Sequence, residues 1–134
     1  MTFLVDTNVV SEARRGAAPA IRWLRSVDPH AIHLSVVTLA EIARGIALKR
    51  RKNATAAAHL AQWLERLRRD HAARIVPIDD EIALEWGRLA AERPRGAADA
   101  AIAATARVRG LTLVTRNVRD FADAGVVVVD PWAV

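Results

Sequence analysis

Cysteine is missing from all 134 residues of the chain. That excludes disulfides, thiolate metal sites and cysteine nucleophiles, and it agrees with a reducing cytoplasm. Long apolar runs are missing too, and none approaches the roughly 20 residues of a membrane span. The first residues lack the basic stretch, apolar core and cleavage site of a secretory signal. The expectation is a cytoplasmic protein with no membrane contact. Lysine is nearly absent, with only Lys49 and Lys52. No phosphate-binding GxxxxGK loop can be traced, and there is no repeat, low-complexity tract or linker. His30, His33, His59 and His71 fall at no metal-ligand spacing.

What is present is an ordinary globular composition, 52% hydrophobic and 26% charged. Residues 1–134 are expected to form a single domain with a real core. Twenty Lys and Arg against fifteen Asp and Glu give a net charge of +5. Nearly all of that positive charge is arginine, which suits bidentate phosphate contacts. A coding bias toward Arg and Ala accounts for part of it. A basic exterior nevertheless attracts a polyanion.

Apolar strands alternate with helical segments. Thr2–Val5, Ile32–Ser35, Ile75–Ile78, Leu111–Thr115 and Val126–Val129 read as strands. Helices are expected over Thr7–Arg14, Ala20–Arg25, Val36–Leu48, Thr55–His71, from Asp79 or Asp80 to about Ala91, and over Ala97–Arg109. Gly16 with Pro19, the basic run Lys49–Lys52, and Pro94 with Gly96 punctuate them, and Gly110 closes the last helix. Continuous apolar strands separated by helices indicate a parallel sheet covered on both faces.

Four acids stand in this frame. Asp6 follows the first strand, Glu41 lies within VVTLAEIARGI, Asp99 within GAADAAIAATA, and Asp120 shortly after LTLVT. Sites in open parallel sheets form beyond the carboxyl ends of strands, so Asp6 and Asp120 are delivered to one edge. Glu41 lies opposite its helix's apolar stripe, on a face with Val37, Arg44 and Gly45. The edge that Asp99 faces is left open by the pattern. Each acid also has a plainer role. Asp6 before Thr7-Asn8 serves as an N-cap, Asp120 as a turn cap, and Glu41 as a solvated side chain. Asp99, flanked by alanines and Ile102, gains only a modest helix-dipole benefit. Glu81, Glu85, Glu92 and Asp123 read as solvated faces or loops. Converging buried carboxylates repel one another, and a hard divalent cation relieves the cost.

The blocks LVDTNVVSE, SVVTLAEIARGI and DAAIAATARVRGLTLVTRNVRDF, followed by a closing apolar strand, resemble the PIN domain over essentially the whole chain. Within that family they resemble the VapC-type toxins of bacterial type II toxin–antitoxin pairs. The resemblance implies a three-layer α/β fold, with a central, mostly parallel five-stranded sheet flanked by helices. It implies that Asp6, Glu41, Asp99 and Asp120 form a catalytic, metal-holding acidic site for Mg²⁺ or Mn²⁺. Thr7, Asn8, Ser11, Thr115 and Asn117 match polar positions that orient ligands or water. The implied activity is endoribonuclease on RNA, in a homodimer inhibited by a cognate, VapB-like antitoxin. Leu60, Trp63 and Leu64 suit a groove for an amphipathic antitoxin segment as well as ordinary packing. Arg116 and Arg119 are the arginines nearest the acids in sequence.

Three other readings compete with this one. A haloacid-dehalogenase-type nucleophile needs a second Asp two residues on, where this chain has Asn8. A receiver domain needs a late lysine, and both lysines lie near the middle. A non-catalytic RNA-binding adaptor with a nuclease-like fold would be expected to lack some of the acids, and all four are present.

Overall fold

The computed structural model describes residues 1–133, leaving Val134 outside the described residues. The strands are β1 (Phe3–Val5), β2 (Ile32–Ser35), β3 (Ile75–Val76), β4 (Thr112–Val114) and β5 (Val128–Val129). They form one sheet in the order β3-β2-β1-β4-β5, and every neighbouring pair is parallel. The helices are α1 (Thr7–Arg14), α2 (Ala18–Ser26), α3 (Val36–Arg50), α4 (Ala54–Asp70), α5 (Asp80–Glu92), α6 (Ala97–Arg109) and α7 (Val118–Phe121).

Side chains on a strand alternate between faces, so a strand buried on both sides must be apolar throughout. Phe3, Leu4 and Val5 are all buried. Phe3 and Val5 join one core with Val9, Trp23, Ile42, Ile46 and Ala57 of α1–α4. Leu4 joins the other with Ile82, Leu89, Ile102 and Phe121 of α5–α7. Val114 and Leu113 divide between the two cores in the same way. Two helical layers therefore sandwich the sheet.

The expected elements are present, with shifted ends. Pro19 falls in the first turn of α2 and does not precede it, because a first-turn residue has no intrahelical N–H bond to lose. Strand β3 stops before Pro77, which has no N–H to extend the ladder. Helix α3 runs through Lys49 and Arg50, part of the expected basic turn. Cations are favourable in a last helical turn. Asp79 is the cap of α5, its Oδ1 accepting the Ile82 N–H at 2.9 Å. Gly110 closes α6 at φ 66°, a left-handed conformation that glycine adopts without steric cost. Among the described residues no helix is long and apolar enough to cross a membrane.

Candidate active site

The central strands β1 and β4 end side by side, with Val5 opposite Val114. The residues that follow them, Asp6 and Thr115, thus meet at the carboxyl edge. The Asp6 N–H donates to the Val114 carbonyl at 2.8 Å. The Thr115 hydroxyl, wholly buried, donates to Asp6 Oδ2 at 2.8 Å. Asp6 Oδ1 accepts the Thr7 N–H at 2.8 Å, and Asn8 Nδ2 reaches Asp6 Oδ2 and Thr115 Oγ1 at 3.2 Å each. Asn8 Oδ1 accepts the Arg116 N–H at 3.2 Å, and Thr115 Oγ1 accepts the Asn117 N–H at 3.0 Å. Asp6 thus caps α1 and is also locked in orientation from a second strand.

Helix α3 brings in Glu41. It starts straight from β2, capped by Ser35 Oγ, which accepts the Val37 N–H at 3.0 Å. Its first turns therefore lie at the same edge. The Thr7 hydroxyl is 2.6 Å from Glu41 Oε1 and 2.9 Å from Thr38 Oγ1. A hydroxyl has one proton and a carboxylate only accepts, so Thr7 donates to Glu41 and Thr38 donates to Thr7. Glu41 is exposed on a ridge between two openings. One is lined by Thr7, Ser11, Arg14, Lys49, Leu60 and Trp63. The other, an apolar trough, is lined by Val37, Arg44, Trp86, Ala97 and Ala98.

Helix α6 answers the question that the sequence leaves open. It ends where β4 begins, at the amino edge, so its first turn and Asp99 lie at the carboxyl edge. Ala97 and Ala98 share the trough with Glu41 accordingly. Asp99 is half-buried, and its Oδ2 lies 3.5 Å from where a Cβ on Gly96 would stand. Asp120 is exposed on the single-turn helix α7.

Electrostatics joins the four acids. Burial pushes the Asp6 carboxyl up to about 6, and the Asp99 and Glu41 charges push the same way. The Thr115 and Thr7 hydrogen bonds offset this only in part. Asp99 is raised by burial first, then by Asp120 and Glu41. Among the described residues, none of the four carboxylates forms an ion pair with a basic side chain. Nor do any three His, Asp or Glu side chains, among those residues, stand close enough to enclose a metal ion by themselves. Mg²⁺ keeps several of its waters and binds through one or two carboxylates. A spread set of unpaired oxygen donors, with the proton affinity of Asp6 and Asp99 raised, fits such a hydrated cation.

The remaining sequence expectations divide. Thr7, Asn8 and Thr115 touch an acid directly, Asn117 joins through its backbone, and Ser11 lines the neighbouring groove. Thr38, buried one helical turn before Glu41, was missed. Its i, i+3 spacing from Glu41, among the apolar residues of the first turns of α3, was the available signal. Asp123, read as a loop residue, accepts hydrogen bonds from two arginines.

Comparison with known proteins agrees with this fold. The sequence profile described as PIN domain matches residues 3–127. The chain is 34% identical to Toxin FitB of Neisseria gonorrhoeae over 138 aligned residues, covering 96% of this chain and 97% of that protein. It is 42% identical over 67 residues to Ribonuclease VapC14 of Mycobacterium tuberculosis, covering 48% of this chain and 65% of that protein. Among solved structures, FitAcB from Neisseria gonorrhoeae superposes with a TM-score of 0.89 at 34% identity, covering 99% of this chain and 100% of that one.

Proposed function

The chain belongs to the PIN-domain family, and from that premise we propose that it is a divalent-metal-dependent endoribonuclease acting as the toxin of a toxin–antitoxin pair. The observation that carries the reading is Asp6. Three groups orient a buried carboxylate whose proton affinity is nonetheless elevated, with two further acids contributing to the rise. An arrangement so costly without a cation is what a cation site requires.

Asp6, Glu41, Asp99 and Asp120 would hold the ion, Mg²⁺ or Mn²⁺ by their hard oxygen donors. When bound, such an ion supplies Lewis-acid polarisation of a phosphoryl oxygen and a lowered pKa for water. The chain's own residues do the rest. Thr115, Thr7 and Asn8 hold the Asp6 carboxylate in one rotamer, and Thr7 with Thr38 holds Glu41. Ser11 and Asn117 complete the polar rim. Glu41, open to the cleft, or Asp120 would take the proton of the attacking water. In-line attack would form the bond from the water oxygen to phosphorus and break the bond from phosphorus to the 3′-oxygen. That oxygen takes a proton from solvent, leaving a 5′-phosphate and a 3′-hydroxyl. Arg116 suits a backbone phosphate. Its guanidinium is stacked over Trp132 at 4.7 Å and its N–H is tied to Asn8 beside Asp6.

The whole of residues 1–134 acts as one catalytic domain in the cytoplasm, as a homodimer whose partner is a VapB-like antitoxin. The groove beside Glu41 has apolar Leu60 and Trp63 on one side and Arg14, Arg15 and Lys49 at its rim. It would take an amphipathic segment carrying acidic residues.

Asp6→Asn and Asp99→Asn should each reduce cleavage of total RNA in Mn²⁺ by at least about a thousandfold, with the helical circular dichroism unchanged. Chelation by EDTA should abolish wild-type cleavage while leaving the protein folded. Cleavage that survives either substitution removes the catalytic assignment. Binding of RNA that persists in EDTA with no cleavage under any condition favours the adaptor reading.

A further inference from the structure

The linker between α5 and α6 carries two arginines that converge on one acid outside the proposed centre. Arg93 Nε donates to Asp123 Oδ2 at 2.8 Å and its Nη2 to Asp123 Oδ1 at 3.0 Å. Arg95 Nη1 donates to Asp123 Oδ1 at 3.1 Å. The Arg95 side chain is only 2% exposed, and its Nε is anchored on the Leu89 carbonyl at 3.1 Å. Its Nη2 is buried without a hydrogen bond, with Glu92 Oε2 at 3.5 Å. A buried guanidinium is costly unless paired, so this segment is committed to the Asp123 carboxylate.

The geometry points to Asp123 as a positioning residue: by joining Arg93 and Arg95 it fixes the separation of Asp99 from Asp120. The clasp has one end at each acid. Gly96, directly after Arg95, is the N-cap of α6, whose third residue is Asp99. Asp123 lies three residues beyond Asp120, and the same Arg93 Nη2 donates to the Asp120 backbone carbonyl at 3.2 Å. A third arginine holds the loop from behind, Arg107 Nη1 donating to the Ala124 carbonyl at 3.3 Å.

A brace is needed at this place. Of the neighbouring charges, Asp120 opposes ionisation of Asp99 most strongly, so the two carboxylates push apart. Helix α7 has four residues, too few to hold a position by its own hydrogen bonds. With the clasp released, Asp120 would drift outward and leave fewer oxygens for a cation. The Arg93–Asp123 pair is exposed and contributes little to stability, so losing Arg93 falls on cation affinity more than on folding. Losing Asp123 also strips the buried Arg95 of a partner.

This inference rests on the proposed metal-dependent centre, and the test separates the two. Mn²⁺ alone, without RNA, is titrated into wild type, Asp123→Asn, Arg93→Gln and Asp99→Asn, with free ion read by electron paramagnetic resonance. Melting is recorded for each variant. Loss of a partner bonded directly to a metal-holding group costs roughly 10- to 100-fold in affinity. The clasp reaches Asp120 only through its backbone carbonyl, so the lower end of that range applies. The Mn²⁺ dissociation constant should therefore rise about tenfold in Asp123→Asn and in Arg93→Gln. Arg93→Gln leaves the buried Arg95 paired with Asp123, and so provides the reading if Asp123→Asn does not fold. Wild-type affinity in both, with binding lost in Asp99→Asn, overturns the brace and leaves the centre standing. Undiminished Mn²⁺ binding in Asp99→Asn overturns the centre, and the brace with it.

Discussion

At the scale of the residue, Asp6 makes stability and pH run in an unusual direction. Its carboxyl is raised from 3.8 to about 6 by burial first, then by Asp99 and Glu41. Below pH 4 the group is protonated folded and unfolded, and it does not discriminate. Between about 4 and 6 the unfolded chain ionises while the folded one keeps its proton. The folded state then binds more protons, and stability falls as pH rises. The loss levels off above pH 6, at on the order of 3 kcal/mol by the linkage relation. Chemical denaturation in EDTA at pH 4.5 and pH 7 should show wild type losing stability from this group and Asp6→Asn not losing it. Excess Mn²⁺ should restore wild type at pH 7. A wild-type dependence identical to that of Asp6→Asn would contradict the assignment. Asp6 was legible in the sequence because it follows an apolar strand directly. Its Thr115 partner lies 109 positions away, and only the pairing of β1 with β4 brings them together. Asp123 was not legible for the same reason. As a lone loop acid it means nothing until Arg93 and Arg95 fold against it.

At the scale of the element, α6 constrains the site most. Residues Ala100–Ala106 are all buried, so this helix lies within the molecule and not on its surface. Alanine gives no strong periodic signal of its own, and such a stretch reads from sequence simply as a good helix former. Its burial follows from close packing on α5 on one side and on the sheet on the other. Small side chains let the axes approach, and that close packing holds the first turn of α6, with Asp99, against the rest of the site. Ala103→Leu should therefore destabilise by about 1–3 kcal/mol through overpacking. Denaturant midpoints would measure that cost, and Mn²⁺ titration should show weakened binding as α6 is displaced. A variant with unchanged stability would mean that α6 tolerates bulk and that its alanines have no packing role. Element type was readable almost throughout, since Leu39, Ile42, Ala43 and Ile46 or Leu60, Trp63, Leu64 and Leu67 declare helices by spacing alone. Ends were less readable, because Pro19 and Pro77 act through backbone N–H groups that hydrophobic patterning does not report.

At the scale of the whole molecule, the excess of arginine divides into a structural part and a free part. Arg15, Arg68, Arg88, Arg93, Arg95, Arg107 and Arg109 pair with carboxylates, and Arg74 is spent on the Ile32 and Asp70 carbonyls. Net charge alone therefore overstates the surface available to a polyanion. Arg14, by contrast, lies over the ring of Trp63 at 5.7 Å beside the groove that opens onto Glu41. A segment seated there would cover apolar surface, meet basic side chains and block the acidic centre in one act, which is how an inhibitory partner would combine affinity with silencing. A half-buried tryptophan on the apolar wall of such a groove is the kind of residue on which binding concentrates, at about 2–4 kcal/mol per truncation. Trp63→Ala should then weaken the purified antitoxin by at least about thirtyfold in calorimetric titration. Cleavage measured without antitoxin should stay near the wild-type rate, and melting would confirm a folded variant. Trp63 also packs against the core around Val9 and Ile46, so a lower melting temperature is expected and does not bear on the question. Antitoxin affinity equal to wild type in a folded Trp63→Ala protein would place the inhibitory surface elsewhere and return Trp63 to a purely structural role.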